Sequence, residues 1–208
     1  MCQPSISGVV SYLEILESEL SRFQIELDSV QKEKLAIYCE ELSRWNQKIN
    51  LTSLQGEALV RRLVLEPAWV GKQLKLQGIL LDIGSGNGSP AIPLEIVCGF
   101  RKSHLVEART KRAAFLRHLT AILNLVNTEV HKARFENLEK SIESPDWITL
   151  QAVALTKDML GSMRKISKST TNVVWLTSST FQTELQASHV FSIPVTGSKA
   201  VVFQTAPA

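Results

Sequence analysis

The sequence contains few cysteines, and none of them lies in a pattern that binds metal or builds a disulfide framework. Its three cysteines, Cys2, Cys39 and Cys98, form no CxxC pair and have no histidine nearby at metal-ligand spacing. Disulfide frameworks and structural zinc sites both depend on such paired spacings. The pattern therefore indicates neither, and we expect a protein of the reducing cytoplasm without a metal ion.

Long apolar runs are also missing. No stretch reaches the roughly 20 apolar residues that a membrane span requires, and the segment before Arg22 has neither a basic residue nor the apolar core of a secretory signal. No internal repeat or low-complexity segment is present. With 208 residues, we expect a soluble chain with one catalytic-sized core and a modest appendage.

The charged residues are unevenly distributed along the chain. Residues 1–43 contain three basic and eight acidic side chains, whereas residues 101–134 contain eight basic and two acidic ones, a local net charge of +6. Clustered positive charge attracts an anionic partner such as RNA when the side chains share one surface. A solvated helix face would give the same count, so the charge alone leaves both interpretations open.

The pattern of apolar residues predicts two helices followed by an α/β domain. Residues 5–52 repeat apolar side chains every three or four positions, with Asp28 or Ser29 as the cap of a second helix that ends near Asn50. Beyond Gly78, short apolar runs alternate with helical stretches, which is typical of a mostly parallel sheet. We therefore predict a helical extension over residues 1–75 and a domain over 76–208. The predicted strands are 79–83, 104–106, 128–131, 147–150, 173–176, 190–195 and 200–203.

Two further local features follow from the same pattern. The clearest helix of the domain is predicted over residues 110–126, where two parallel apolar lines indicate deep burial. A hairpin turn is predicted at residues 196–199, between the last two strands.

A glycine-rich turn after the first strand carries the strongest indication of function. The strand ends with Asp82 and is followed by Gly84, Gly86 and Gly88. Glycines allow positive φ and close approach of the backbone to a ligand, so we expect amides presented to an anionic group. The dinucleotide fingerprint is G-x-G-x-x-G, whereas Ser89 occupies the third glycine's place here. This favours S-adenosylmethionine, with a nicotinamide dinucleotide as the weaker alternative.

Three residues after the next two strands are candidates for the nucleoside part of that ligand. Glu107 follows the second strand, 23 residues after Gly84, where a carboxylate can accept hydrogen bonds from both ribose hydroxyls. Phe135 and Glu136 follow the third strand and are expected to flank the adenine ring.

The assembled pattern resembles the ribosomal RNA small-subunit methyltransferase G family, also called glucose-inhibited division protein B. The combination of an N-terminal WN…NLT segment with GSGxGxP is more specific than either part. The matching segments are 45–46, 50–52, 82–90, 92–94, 105–108, 111–112, 115–117, 123–127, 134, 136 and 146.

The resemblance implies a Rossmann-like class I S-adenosylmethionine-dependent methyltransferase fold, with a mostly parallel seven-stranded sheet and helices on both faces. It implies methylation of N7 of a guanine in 16S ribosomal RNA, with the RNA or the small ribosomal subunit as partner, and we expect a monomer that uses no membrane. It also implies that Gly84, Ser89, Phe135 and Glu136 contact the cosubstrate.

The chain departs from the family pattern at Ser89, where the family has a bulky apolar residue, and more strongly on the substrate side. Where the family usually has Ser-Arg-Ala after the fourth strand, this chain has Gln151 in place of the arginine, so Gln151 is the candidate catalytic residue beside the target base. Thr177 and Ser178 replace a Lys-Gly pair, and Leu63 aligns with a histidine. The changes on the substrate side replace cationic and polar groups, and whether activity survives them is left open.

Two functions therefore compete at this point. In the first, the chain is an active RNA guanine-N7 methyltransferase. It needs no general base, because sulfonium already activates the methyl group. In the second, it is a divergent S-adenosylmethionine-binding homologue with another substrate or none, acting as an RNA- or ribosome-binding module. The four histidines are interpreted as structural or RNA-facing. The side chains expected to hold RNA phosphates are Arg109, Lys111, Arg112 and Arg117.

Overall fold

A computed structural model describes residues 11–138, 142–177 and 187–205. Within these residues the strands form one seven-stranded sheet in the order β3-β2-β1-β4-β5-β7-β6. The first five strands pair in parallel, and β7 runs antiparallel to both β5 and β6. The strands are β1 Ile79–Ile83, β2 Lys102–Val106, β3 Thr128–His131, β4 Trp147–Gln151, β5 Asn172–Thr177, β6 His189–Ser192 and β7 Lys199–Gln204.

Helices pack on both faces of this sheet, which confirms the predicted fold class. A π-helical turn, Val60–Leu65, joins the third and fourth helices, and a 3₁₀ turn, Phe135–Asn137, follows β3. None of the described helices combines the length and apolarity of a membrane span. The α-helices are α1 Tyr12–Arg22, α2 Ser29–Asn46, α3 Gly56–Leu59, α4 Glu66–Leu74, α5 Ala91–Cys98, α6 Thr110–Ile122 and α7 Lys157–Ile166.

The second helix is bounded by two side chains that bond to the backbone. Asp28 caps its start, because its carboxylate accepts the amide of Gln31 at 2.8 Å. Its last residue, Asn46, bonds through Oδ1 to the amides of Leu51 and Thr52, and through Nδ2 to the carbonyl oxygen of Thr52. These bonds close a loop, so the helix ends before the predicted Asn50.

The N-terminal helices share a hydrophobic core with one face of the sheet. Leu16 and Tyr38 from α1 and α2 lie in the same cluster as Leu80 of β1 and Phe115 of α6. A second cluster on the other face joins the sheet to α7. Burying such side chains contributes roughly 1.5–3 kcal/mol each. The N-terminal helices are thus packed onto the sheet, while the boundary at residue 75 stays a prediction.

Two predicted elements end earlier than their apolar patterns indicate. The helix predicted to reach Val126 ends at Ile122, because Asn124 adopts a left-handed backbone (φ 51°). Of the apolar line through Phe115, Leu119, Ile122 and Val126, the first two are fully buried, whereas Ile122 and Val126 are 42% and 82% exposed, so the predicted deep burial was wrong for its second half. The strand predicted over 190–195 ends at Ser192, where a turn closes through the Gly197 amide, 2.8 Å from the carbonyl oxygen of Ile193.

Candidate active site

A cavity of about 910 Å³ opens at the edge of the sheet where the parallel strands end. Its first side, the glycine-loop wall, consists of residues 84–87 and 89 of the loop after β1 and of Glu107 after β2. Its second side, the opposite wall, consists mainly of residues 51–54, 61–63, 151–153 and 195–196. Ligands of open α/β sheets bind at this edge, in the crevice beyond the carboxyl ends of the strands.

The three glycines of the loop have positive φ angles, but they do not share one role. Gly84 (φ 74°) and Gly86 (φ 45°) line the cavity. Gly88 (φ 95°) lies outside its lining, and a Cβ added there would lie 3.2 Å from Cε2 of Tyr38 and 3.1 Å from Cγ1 of Ile92. Its missing side chain lets α2 and α5 pack together, and its contact with the ligand stays a prediction.

The amides of the loop are mostly turned into the protein. Those of residues 84–86 donate to the carbonyl oxygen of Val106 and to the carboxylate of Glu107 at 2.9–3.0 Å. The two amides after Asn87 bond within the loop. Within the described part of the chain, no acceptor faces the amide of Asn87. The expected nest of free amides was thus wrong, because a tight buried turn must pair its own backbone groups.

Glu107 is buried at the floor of the glycine-loop wall and is held by two backbone bonds. Its Oε2 accepts the amide of Gly86 at 3.0 Å, and its Oε1 accepts the amide of Arg109 at 2.7 Å. A carboxylate has about four acceptor positions, so both oxygens can still accept further hydrogen bonds. This arrangement suits a pair of neighbouring hydroxyls, such as those of a ribose.

Asp82 lies below the loop and does not line the cavity. Its Oδ1 accepts the hydroxyl of Thr149 at 2.6 Å, which joins β1 to β4. Burial raises the pKa of this carboxyl to about 6. Its side chain is turned into the core and bonded to β4, and its contact with the cosubstrate stays a prediction.

The remaining predicted cosubstrate residues are divided between the cavity and its surroundings. Ser89 lines the cavity, and its buried Oγ has no hydrogen-bond partner within the described residues. Phe135 is buried among the core residues on the α7 side, and Glu136 is exposed; neither lines the cavity. Both follow β3, which pairs with the strand that precedes Glu107. Their contact with an adenine stays a prediction.

The opposite wall contains two arginines that the sequence analysis missed. Arg61 and Arg62 lie in the π-helical turn, a rare geometry that is frequent at functional sites. Arg61 hydrogen-bonds the carboxylate of buried Glu19, which lowers the pKa of Glu19. Ala152 has a positive φ of 55°, an uncommon backbone conformation for alanine. In the sequence, the two arginines could have been found as adjacent cations within an otherwise apolar helical stretch.

The predicted RNA-binding side chains do not form one surface. Arg109 and Arg112 line the cavity, and Arg112 donates to the carbonyl oxygen of Asn50 at 3.1 Å. Lys111 is exposed outside it, and Arg117 donates to the carbonyl oxygen of Val130. Arg112 and Arg117 lie about 140° apart around α6, since one turn takes about 3.6 residues. The structure thus brings Arg109 and Arg112 to the cavity without the other two.

The three family departures on the substrate side also lie in different places. Gln151 and Leu63 both line the opposite wall. Thr177 is a buried residue at the end of β5, outside the cavity lining. Ser178 lies outside the described residues.

One group of possible metal ligands lies away from the cavity. His104, Glu129 and His131 bring three ligand atoms within 4.8 Å of one another on β2 and β3. The two imidazoles approach to 3.0 Å, and burial lowers the pKa of His104 to about 4. Glu129 pairs with Lys102 at 3.1 Å. An imidazole–imidazole hydrogen bond and an ion pair account for this geometry without a metal ion.

The comparison with solved structures supports the fold. An S-adenosylmethionine-dependent methyltransferase from Aquifex aeolicus superimposes with a TM-score of 0.60 and 12% identity. The match covers 79% of this chain and 96% of that protein. At this identity the likeness shows the fold alone.

Sequence comparison goes further than the fold. A curated ribosomal RNA small subunit methyltransferase G from Geobacter sp. is 34% identical over 146 residues, which cover 69% of this chain and 67% of the relative. One from Wolinella succinogenes is 30% identical over 180 residues, 86% of this chain and 91% of the relative. Several others match over less than two thirds of their own length. The family model for rRNA small subunit methyltransferase G matches residues 31–204, so the chain belongs to this family.

Proposed function

We propose that the chain transfers a methyl group from S-adenosylmethionine to N7 of a guanine in 16S ribosomal RNA. The observation that carries the proposal is the shared cavity, in which Glu107 and the glycine loop face Arg61, Arg62 and Gln151. The names of the curated relatives specify small-subunit ribosomal RNA. We extend that substrate to this chain, and we propose that it acts as a monomer in the cytoplasm.

The residues of the glycine-loop wall fit the cosubstrate. Gly84 and Gly86 leave room for close approach, the Asn87 amide is available as a donor, and Glu107 can accept from both ribose hydroxyls. A cavity of about 910 Å³ is within the range of ligand pockets, roughly 300–1,000 Å³. When bound, S-adenosylmethionine supplies a methyl group that its sulfonium already activates. The adenine contacts of Phe135 and Glu136 are part of this proposal.

The chain's own groups then have to orient and shield the reactants. Guanine N7 carries a lone pair, so no proton has to be removed before it attacks. Arg109 and Arg112 at the cavity can hold phosphates and fix the nucleotide. The positive charge that develops on the ring is stabilised by hydrogen-bond acceptors placed beside it, and Gln151 is the candidate for this role.

Two experiments test the proposed function. Calorimetric titration should show binding of S-adenosylmethionine, and 16S ribosomal RNA from a deletion strain should lack one N7-methylguanine in primer extension and mass spectrometry. An unchanged modification profile in that strain would reject the activity. Binding of S-adenosylmethionine without any such loss would instead support the alternative, a homologue that acts as an RNA- or ribosome-binding module.

A further inference from the structure

A buried carboxylate joins three distant segments of the opposite wall. Glu66, the first residue of α4, has 0% exposure. Arg62 donates to both of its oxygens at 2.5–2.6 Å, and the hydroxyls of Thr196 and Ser198 each donate to Oε2 at 2.5 Å. Gln151 donates to Oε1 from the end of β4 at 3.2 Å. The carboxylate is thereby paired with one cation and three neutral donors.

This arrangement fixes which end of the Gln151 amide faces inward. A carboxylate paired with a guanidinium accepts hydrogen bonds and donates none. The Nε2 of Gln151 also donates to the carbonyl oxygen of Arg62, at 3.4 Å. Both inner partners are acceptors, so the nitrogen must point towards Glu66 and the amide oxygen is left for the cavity that Gln151 lines.

We propose that Glu66 is a positioning residue that presents the amide oxygen of Gln151 to the target base and thereby selects guanine. The inference rests on the proposed function, because it concerns the base bound in that cavity. Guanine carries N–H donors at N1 and N2, whereas adenine has an acceptor at N1 and no amino group at C2. The fixed amide oxygen of Gln151 can accept a hydrogen bond from this edge of guanine and is repelled by the N1 acceptor of adenine. A site is selective in this way because the wrong base leaves a buried polar group unpaired.

Glu66 also holds the loop between β6 and β7, because its carboxylate accepts hydrogen bonds from the hydroxyls of Thr196 and Ser198. Their Oγ atoms lie 2.6 Å apart, and Thr196 lines the cavity beside Gln151. Glu66 therefore holds the wall on both sides of Gln151, and this restricts the side chain of Gln151. The arginine that the family pattern has at this position would present donors instead, so the glutamine changes the polarity offered to the base.

The test measures methyl transfer to an RNA fragment whose modified guanosine has first been mapped, and to the same fragment with adenosine there. Adenosine keeps N7 but has an acceptor at N1 and no 2-amino group. The wild type should prefer guanosine about tenfold, the effect of one hydrogen bond. Gln151→Met removes the oxygen at similar length and should abolish the preference. Glu66→Gln should reduce the preference for guanosine, because the amide of Gln151 can then turn its nitrogen towards the cavity.

The control is Gln73→Met, the same change at an exposed position of α4, which should keep the wild-type preference. Thermal melting and S-adenosylmethionine titration establish that each variant is folded. If Glu66→Gln does not fold, Ser198→Ala, which removes one hydrogen bond to Glu66, replaces it and should likewise reduce the preference. Equal rates on both RNAs with the wild type, or a preference retained in full in Gln151→Met or in folded Glu66→Gln, would overturn the inference. Absence of transfer by the wild type would instead reject the proposed function.

Discussion

The two walls of the cavity are built in different ways. The glycine-loop wall comes from one continuous stretch of about 25 residues, and backbone amides pair most of its polar groups. The opposite wall gathers segments that are 85 and 130 residues apart in sequence, and the side chains around Glu66 hold it together. The first wall depends mainly on backbone bonds, with Glu107 as the side chain that they hold, whereas the second can change its chemistry with single side chains.

This contrast accounts for two of the departures from the family pattern, whereas Ser89 lies on the glycine-loop wall and Thr177 lies outside the cavity lining. Gln151 and Leu63 both lie on the opposite wall, and the glycine loop keeps the family's GSGxGxP pattern. A side chain on the opposite wall can be exchanged without breaking a backbone bond, which suits a surface that adapts to the substrate. The following predictions test that division.

The largest expected effect is on the backbone of the glycine loop. Gly88→Ala places a Cβ 3.1–3.2 Å from Ile92 and Tyr38 at a positive φ, which should lower the free energy of unfolding by about 4 kcal/mol through strain and overpacking. Gly86→Ala, where the nearest atom is 3.4 Å away, should cost about 1 kcal/mol. Urea denaturation measures both, and equal losses would contradict the separate roles.

Asp82 should make stability depend on pH. Its folded pKa of about 6 lies above the ordinary value of 3.8, so its stabilising contribution is complete below pH 4 and is lost as the pH rises to 6. Asp82→Asn does not titrate. The unfolding free energy of this variant relative to wild type should therefore rise by up to about 3 kcal/mol from pH 4 to pH 7. A difference that does not change with pH would contradict the burial argument.

Glu107 should matter for binding more than for folding. Glu107→Gln replaces one acceptor with a donor that faces an amide N–H, and it removes one acceptor for the ribose. We expect S-adenosylmethionine affinity to fall about 30-fold, or about 2 kcal/mol. Calorimetry measures the change, with Glu33→Gln, on an exposed part of α2, as the control. Unchanged affinity in Glu107→Gln would remove this residue from the site.

The smallest effect should separate the basic side chain that precedes α6 from one within the helix. Arg109→Gln removes a cation from the cavity, whereas Arg117→Gln removes one on another side of the helix. We expect RNA affinity to fall about fivefold in the first variant, which is about 1 kcal/mol, and to change little in the second. Filter binding at two salt concentrations measures both. Equal losses would show that the RNA covers a wider surface of α6.

The sequence predicted the local features of this molecule and missed those that depend on tertiary contacts. The bounds of β1, the positive φ angles of the three glycines and the position of Glu107 beside the loop follow from residues close together in the chain. Glu66 gave no such signal, because its partners are brought to it only by the folded sheet. Apolar spacing likewise could not indicate that Asn124 ends α6.

The proposal that one cavity joins a methyl donor to ribosomal RNA is tested most directly by methyl transfer in vitro. Purified protein is incubated with tritiated S-adenosylmethionine and small ribosomal subunits that lack the modification, and the digested RNA is analysed by mass spectrometry. The account predicts incorporation of tritium into 7-methylguanosine. Folded protein that binds S-adenosylmethionine but leaves both subunits and naked 16S ribosomal RNA unlabelled would contradict it.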